Sequence, residues 1–165
     1  MITSRYSKEE SFKRSFMRMA LYLKDIWDEY NHNEKNPLPA HSRIFDVMMV
    51  DDFILLGQSV ELQKSIEAGS SKKGYREHLV PCATLRDHAA DMFRAGKMPE
   101  DVAAMLQRFL RIVHITREEA DRLNYDVGLK NKMPDGWDWD SGDVKERLHM
   151  ANIELDPGSN KNTHL

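Results

Sequence analysis

The sequence has little of three features that would assign a functional class at once: cysteine, long apolar runs and an excess of positive charge. Its single cysteine, Cys82, has no disulfide partner within the 165 residues, which is typical of proteins from a reducing compartment. No stretch approaches 18 uninterrupted apolar residues, and the N-terminal segment lacks the apolar core of a secretion signal. We therefore predict a cytoplasmic protein that does not engage a membrane.

Charge is balanced over the whole chain but uneven along it. The 24 basic and 27 acidic residues give a formal net charge of −3, which provides no overall attraction to nucleic acid. Residues 72–133, however, carry 12 basic and 9 acidic side chains, whereas residues 134–165 carry 3 and 7. Contact with phosphate depends on the local basic surface, so the central segment is compatible with DNA as a partner.

Length and composition predict a single domain. A chain of this size with 41% hydrophobic residues buries enough surface to fold without disulfides or a structural metal. The pattern predicts a predominantly helical α+β fold, with N-terminal helices over 1–68 and a ββα-like part with inserted helices and a C-terminal helix over 72–155. Residues 156–165 have only Leu165 as a large apolar side chain and are predicted to be a mobile tail.

The first helix is predicted to begin at a capping box and to run to about Tyr30. Ser7 and Glu10 have the three-residue spacing of such a box. An apolar stripe with alternating spacings of four and three follows on one face: Phe12, Phe16, Met19, Leu23, Ile26 and Tyr30. The stripe either packs within the domain or forms the seam of a homodimer.

The next elements are less regular. The run VMMVDDFILL, residues 47–56, fits either a helix or a strand, and periodicity does not distinguish the two. Gly57 is predicted to mark a break before a helix over Val60–Glu67. Beyond the polar link at 68–74, the pattern predicts strands over 75–80 and 110–115 and helices over 83–95, 100–109 and 144–152. A second capping box, Thr116 with Glu119, begins another helix after the later strand.

One short segment carries most of the functional information. At the end of the first of these strands, Glu77 and His78 are followed by Pro81 in the pattern E-H-x-x-P. A second strand, LRIVHI, and the helix that begins at Thr116 come later along the chain. This motif and this order of elements resemble the HNH, or His-Me finger, nucleases over about residues 72–125.

The resemblance implies a ββα-metal fold and metal-dependent cleavage of DNA. It makes His78 the general base, Glu77 a ligand for Mg²⁺ or another divalent ion, and Lys72, Lys73 and Arg76 contacts for phosphate. An imidazole near its own pKa accepts a proton from water, while a divalent cation stabilises the charge that develops on the phosphate. Because neighbouring strand residues point to opposite faces, Glu77 and His78 serve one site only if the strand ends there.

The helix of the finger departs from the family pattern. The family usually presents a histidine or asparagine ligand at about the position where this sequence has Ala120. Glu119, Asp121 and Asn124 are the candidate replacements, and helical spacing places Asn124 one turn beyond Ala120. Two hypotheses follow: an active nuclease with shifted metal ligands, or a catalytically decayed relative that binds DNA.

A second class of function follows from the acidic C-terminal block. Trp137 and Trp139 lie in a loop, 135–143, that also contains four aspartates, and the chain has ten methionines. Exposed tryptophans and methionine-rich surfaces are typical of partner binding. The loop therefore suits a non-catalytic protein-binding or inhibitory protein, such as one from a phage or mobile element. In the competing interpretation, Trp137 fills the core behind a Pro-Asp-Gly turn.

Overall fold

The computed structural model describes residues 5–30, 38–71 and 73–159. It confirms the predominantly helical α+β class, with a single three-stranded sheet in the described residues. The chain forms two compact units, of which the first contains Met1–Phe53 and Cys82–Arg108 and the second contains Ile54–Pro81 and Phe109–Leu165. Within the described part of the chain, every helix is too short or too polar to cross a membrane.

The first unit is helical. Its elements are α1 (Lys8–Tyr30), α2 (Ile44–Met48), α3 (Asp51–Ile54), α5 (Cys82–Arg94) and α6 (Pro99–Phe109). The last residue of α3 and the last residue of α6 belong to the second unit. The predicted capping box is confirmed, because the Ser7 hydroxyl accepts from Glu10 N–H at 3.1 Å and the Glu10 carboxylate accepts from Ser7 N–H at 3.0 Å. The helix predicted over 100–109 is present as α6 and begins one residue earlier, at Pro99, because proline suits the first position of a helix.

The predicted apolar stripe of α1 is wrong at its C-terminal end. Tyr30 is 61% exposed and Ile26 is half-buried, whereas Trp27 is buried and packs against Phe93 of α5 with ring centroids 6.4 Å apart. The buried face consists of Ser15, Phe16, Met19, Ala20, Leu23 and Trp27. A straight helix has 3.6 residues per turn, so its buried face drifts away from a strict seven-residue repeat. The helix therefore follows packing within its unit.

The second unit is built on the sheet. Its strands are β1 (Leu55–Gln58), β2 (Tyr75–His78) and β3 (Ile112–Ile115), and β3 lies in the centre, parallel to β1 and antiparallel to β2. Its helices are α4 (Val60–Glu67), α7 (Arg117–Asp121), a turn of π-helix (Arg122–Asp126), α8 (Glu146–Met150) and a short 3-10 helix (Pro157–Ser159). The sheet order makes β2 an edge strand.

The core of the second unit covers one face of the sheet. Val113 and Ile115 of β3 point into it, together with Ala120 of α7 and Leu148 of α8. The other buried members are Leu79, Leu123, Leu129, Ala151 and Ile153. Alternation along β3 places Ile112 and His114 on the opposite face. The sheet therefore presents one apolar face to its own core and one face with polar side chains.

The structure resolves the ambiguity of residues 47–56. The run divides into the end of α2, all of α3 and the start of β1, because the acidic pair Asp51-Asp52 begins α3. Gly57 lies inside β1, at an irregularity in the pairing of β1 with β3, and does not mark a break before α4. With φ +156°, a Cβ at Gly57 would lie 2.7 Å from Ser159 Oγ, so glycine permits the close approach of the chain.

Part of the segment predicted as a mobile tail contacts this strand. Asp156 N–H donates to Gln58 C=O at 2.9 Å, and the Ser159 hydroxyl accepts from Gln58 N–H at 2.9 Å. Residues 160–165 lie outside the described residues. Asp156 and Ser159 both contact the main chain of Gln58 at an edge of the sheet, and apolar patterning does not reveal such hydrogen bonds.

Candidate functional site

The E-H-x-x-P segment lies where β2 ends. His78 is the last residue of β2, and its neighbour Glu77 pairs with Val113 across the ladder, whereas His78 pairs with Ile112. Glu77 is buried on the core side of the sheet, and His78 is half-buried on the polar side. Alternation along the strand therefore separates the predicted metal ligand from the predicted general base.

Glu77 forms a buried ion pair with Arg147. Glu77 Oε1 accepts from Arg147 Nη2 at 3.1 Å, and both side chains are almost entirely excluded from solvent. The same guanidinium donates to Leu129 C=O at 2.6 Å and to His78 C=O at 2.6 Å. Burial raises the pKa of Glu77 and lowers the pKa of Arg147, while the attraction between the two charges opposes both shifts. The Glu77 carboxylate thus has a structural partner.

Glu119 is also engaged inside the second unit. Its Oε2 accepts from Thr116 N–H at 2.8 Å, which completes the predicted capping box. The same oxygen accepts from the Ser59 hydroxyl at 2.6 Å. Ser59 in turn caps α4, because its Oγ accepts from Leu62 N–H at 3.1 Å. This carboxylate therefore joins the starts of α4 and α7.

The other two candidate ligands lie at the end of α7. Asp121 pairs with Arg117 at 3.2 Å on the surface. Asn124 lies in the π-helix, where Val127 N–H donates to Arg122 C=O five residues back. The wider π turn changes the angular spacing, so the α-helical argument that placed Asn124 above Ala120 does not apply. Ala120 itself is buried in the core.

The predicted metal ligands do not form a cluster. In residues 5–30, 38–71 and 73–159, no group of three His, Cys, Asp or Glu side chains with ligand atoms within 4.8 Å of one another includes Glu77, Glu119 or Asp121. Each of the three has the internal or surface partner described above. The structure therefore brings the elements of a ββα unit together without assembling the predicted metal centre.

Polar side chains form a row across the other face of the sheet. Gln58 of β1 and Arg76 of β2 are the register partners of His114 on the central strand. Arg76 Nη1 lies 3.5 Å from His78 Nε2, two residues further along β2. We call Gln58, His114, Arg76 and His78 the polar row. All four side chains are half-buried, so the row offers hydrogen-bonding groups at the surface of the fold.

A cavity lies at the β1 end of the polar row. Its volume is about 470 Å³, and Gln58, Gln63, His114, Asp156 and Ser159 supply its polar lining. Gln58 and Gln63 are hydrogen-bonded to each other through their amides. Because the lining includes a carboxylate and no lysine or arginine, this end of the row is a poor phosphate site. The β2 end carries the positive charge.

Cations surround the start of β2. Lys73 is exposed, and the Arg117 guanidinium lies 5.3 Å from the centre of the Tyr75 ring. Tyr75 is 37% exposed and the Arg117 side chain is 65% exposed. Lys72, the remaining predicted phosphate contact, lies outside the described residues. The edge strand therefore combines guanidinium and ammonium groups with an accessible aromatic ring.

Trp137 and Trp139 pack within the second unit. Their rings lie 4.9 Å apart, and each also contacts Phe109, at 5.6 and 5.1 Å, in edge-to-face geometry. The Trp137 indole N–H donates to Asp143 C=O at 2.9 Å. Both tryptophans are half-buried, so each ring packs against its neighbours and keeps a part that is accessible to solvent. Their role as partner anchors therefore stays a prediction.

Two residues of this site, Arg147 and His114, were not assigned to it from the sequence. Arg147 has no local signal, because its partners are main-chain carbonyls and Glu77, which lies 70 residues away. His114 lies in an otherwise apolar strand, IVHI, and that polar exception was the available signal. The chain matches no protein-family model, no curated protein and no solved structure.

Proposed function

We propose that the second unit is a DNA-binding module on an HNH-like ββα scaffold, and that it binds DNA without cleaving it. The order of elements supports the scaffold: β2 and β3 are antiparallel neighbours, and α7 follows β3 directly. This is the order that the E-H-x-x-P resemblance implied. The two inserted helices, α5 and α6, belong to the first unit and leave the pairing of β2 with β3 intact.

The loss of cleavage is inferred from the carboxylates. Metal-assisted hydrolysis needs a cation held beside the general base, with ligands free to coordinate it. Glu77 is committed to Arg147 on the far side of the sheet from His78, and Glu119 is committed to Ser59 and Thr116. A ligand set built from these residues would have to break buried hydrogen bonds first, each of which contributes to the stability of the unit.

DNA binding is inferred from the edge strand β2, and the observation that carries the proposal is the group of cationic and imidazole side chains on and beside this strand. Arg76 and His78 lie side by side on the polar face of β2, while Lys73 and Arg117 flank the start of the same strand. Guanidinium groups form paired hydrogen bonds with phosphate, and lysine adds a point charge. Tyr75 lies on the other side of the strand from Arg76, where its ring contacts the Arg117 guanidinium at 5.3 Å. The edge strand therefore supplies the contacts that a nucleic-acid backbone requires.

Fluorescence anisotropy with a labelled DNA duplex tests the proposal. The full chain should bind, and Arg76→Ala should weaken binding about tenfold or more, in keeping with loss of a charged contact of roughly 1.5–3 kcal/mol. Lys132→Ala is the matched control, since Lys132 is an exposed cation of the same unit that belongs to neither β2 nor α7. An affinity that both variants leave unchanged would overturn the assignment of β2 as the DNA-binding strand. A labelled single strand in parallel shows which form is preferred.

A further inference from the structure

We propose that Asp143, Glu146 and His149 form a binding site for one divalent transition-metal ion, with Zn²⁺ as the favoured ion. One ligand atom from each side chain lies within 4.8 Å of the other two. The site is separate from the E-H-x-x-P segment and shares no residue with the polar row. It does not depend on the proposed DNA binding, which uses a different set of side chains.

The local fold explains why the three side chains converge. Glu146 and His149 are three residues apart on α8, so they lie on the same face of the helix, and Asp143 precedes them by another three residues. Arg147 and Leu148, on the other side of α8, are buried in the second unit and fix the helix in place. The face with Glu146 and His149 therefore points towards solvent, where an ion can reach it.

Asp143 is held with one carboxylate oxygen available. Its Oδ1 accepts from Lys145 N–H at 2.8 Å, while Oδ2 lies 3.5 Å from His149 Nδ1. Its C=O accepts from Trp137 Nε1 at 2.9 Å, which ties the residue to the packed tryptophans. Two ligands bound to one Zn²⁺ at about 2.0–2.1 Å are roughly 3.3 Å apart in a tetrahedral arrangement. The Oδ2–Nδ1 separation is close to that value, so an ion requires little movement of this pair.

The donor set selects the class of ion. One imidazole nitrogen and two carboxylate oxygens are ligands that Zn²⁺ and similar transition metals accept, whereas Mg²⁺ and Ca²⁺ prefer oxygen alone. Two carboxylates and a neutral imidazole match the charge of a divalent cation. A cavity of about 350 Å³, lined in part by Asp138, Asp143 and Glu146, lies beside the ligands and leaves room for water in the remaining coordination positions.

Titration of the full chain with Zn²⁺, followed by calorimetry, tests the site. The wild type should bind one Zn²⁺, and His149→Ala should weaken that binding by about 100-fold or more, since even indirect supports of a metal site contribute about 10- to 100-fold. His149 is 55% exposed at its side chain, so its removal should leave the fold intact. His41→Ala, which removes another exposed histidine, is the control and should bind Zn²⁺ as the wild type does.

Co²⁺ provides a second readout that does not depend on affinity. Visible absorption bands of bound Co²⁺ should appear in the wild type and disappear in Asp143→Asn and His149→Ala. If Zn²⁺ binding persists unchanged in both variants, the ion binds elsewhere and the proposal is wrong. If the wild type binds no Zn²⁺, the contact between Asp143 and His149 is an ion pair only. Preference for Ca²⁺ over Zn²⁺ would contradict the assignment of Zn²⁺ as the favoured ion.

Discussion

Glu77 Oε1 and Arg147 Nη2 lie 3.1 Å apart inside the second unit, and they join β2 to α8 across 70 residues of sequence. The guanidinium also donates to the carbonyls of His78 and Leu129, so a single side chain fixes the end of β2, the segment before the acidic loop and α8. A residue with these partners is a structural element of the unit. Glu77, whose carboxylate pairs with Arg147, is likewise a structural element of the unit.

Arg147→Ala should destabilise the protein by about 3–5 kcal/mol. The substitution leaves the Glu77 charge buried without its partner and deprives the carbonyls of Leu129 and His78 of their donors. Urea unfolding, followed by circular dichroism, measures the change. Lys132→Ala removes an exposed cation and should change the free energy of unfolding by less than about 0.5 kcal/mol. Equal effects of the two substitutions would contradict the structural role of Arg147.

The pH dependence of stability should report the burial of Glu77. Burial raises its pKa above the ordinary value of 4.5, so the folded protein binds a proton at Glu77 more readily than the unfolded chain does. The stability that this group contributes is full below the unfolded pKa and is lost as the pH rises through the folded pKa. Glu77→Gln has the same shape and cannot titrate.

Wild type and Glu77→Gln should therefore differ in how stability changes with pH. The free energy of unfolding of the wild type, minus that of Glu77→Gln, should decrease as the pH rises above 4.5, the ordinary pKa of the carboxyl group. Chemical unfolding at several pH values measures this difference. A difference that increases with pH would mean that Arg147 lowers the pKa of Glu77 more than burial raises it. DNA binding should be the same in both proteins, because Glu77 lies on the core side of the sheet.

Ser59→Ala should destabilise the second unit by about 1–3 kcal/mol. The hydroxyl caps α4 through Leu62 N–H and donates to the buried Glu119 carboxylate at 2.6 Å, so both interactions are lost together. Ser65→Ala, within α4, is the control because Ser65 is not at a helix terminus. Urea unfolding of the two variants provides the comparison. A loss no larger for Ser59→Ala than for Ser65→Ala would contradict the role of this hydroxyl.

Supercoiled plasmid incubated with Mg²⁺ or Mn²⁺ should not be nicked by the purified chain. The predicted ligands Glu77 and Glu119 are held by internal partners, so neither is expected to hold a cation beside His78. Gel electrophoresis of the plasmid measures the outcome. Nicking by the wild type that His78→Ala abolishes would establish the nuclease hypothesis and exclude a module that only binds. Nicking that persists in His78→Ala would show that groups other than His78 cleave DNA, and would also contradict the prediction.

Local signals in the sequence predicted much of the helical structure. The capping boxes at Ser7 and Thr116 marked the starts of α1 and α7, and the interval between Ser59 and the polar link contained α4 as predicted. These features depend on residues three or four positions apart, so a short window of sequence contains them.

Features that depend on distant residues were not predicted. β1 is four residues long and pairs with a strand more than 50 residues away, so its apolar residues fitted a helix equally well. The E-H-x-x-P motif predicted β2 and its histidine. It did not predict that the Glu77 carboxylate points into the core, because Arg147, which pairs with it there, is distant in the sequence. The polar row exists only once three strands are assembled.

The salt dependence of DNA affinity tests the central claim most directly. Binding through the β2 cations should weaken linearly on a plot of log affinity against log salt concentration between about 50 and about 200 mM. Removing Lys73 and Arg76 together should reduce the magnitude of the slope by about 2, since each phosphate contact contributes about 1, whereas Lys132→Ala should not alter it. A slope that is the same in the wild type and in Lys73→Ala/Arg76→Ala would show that DNA, if it binds, binds elsewhere, and would contradict the account.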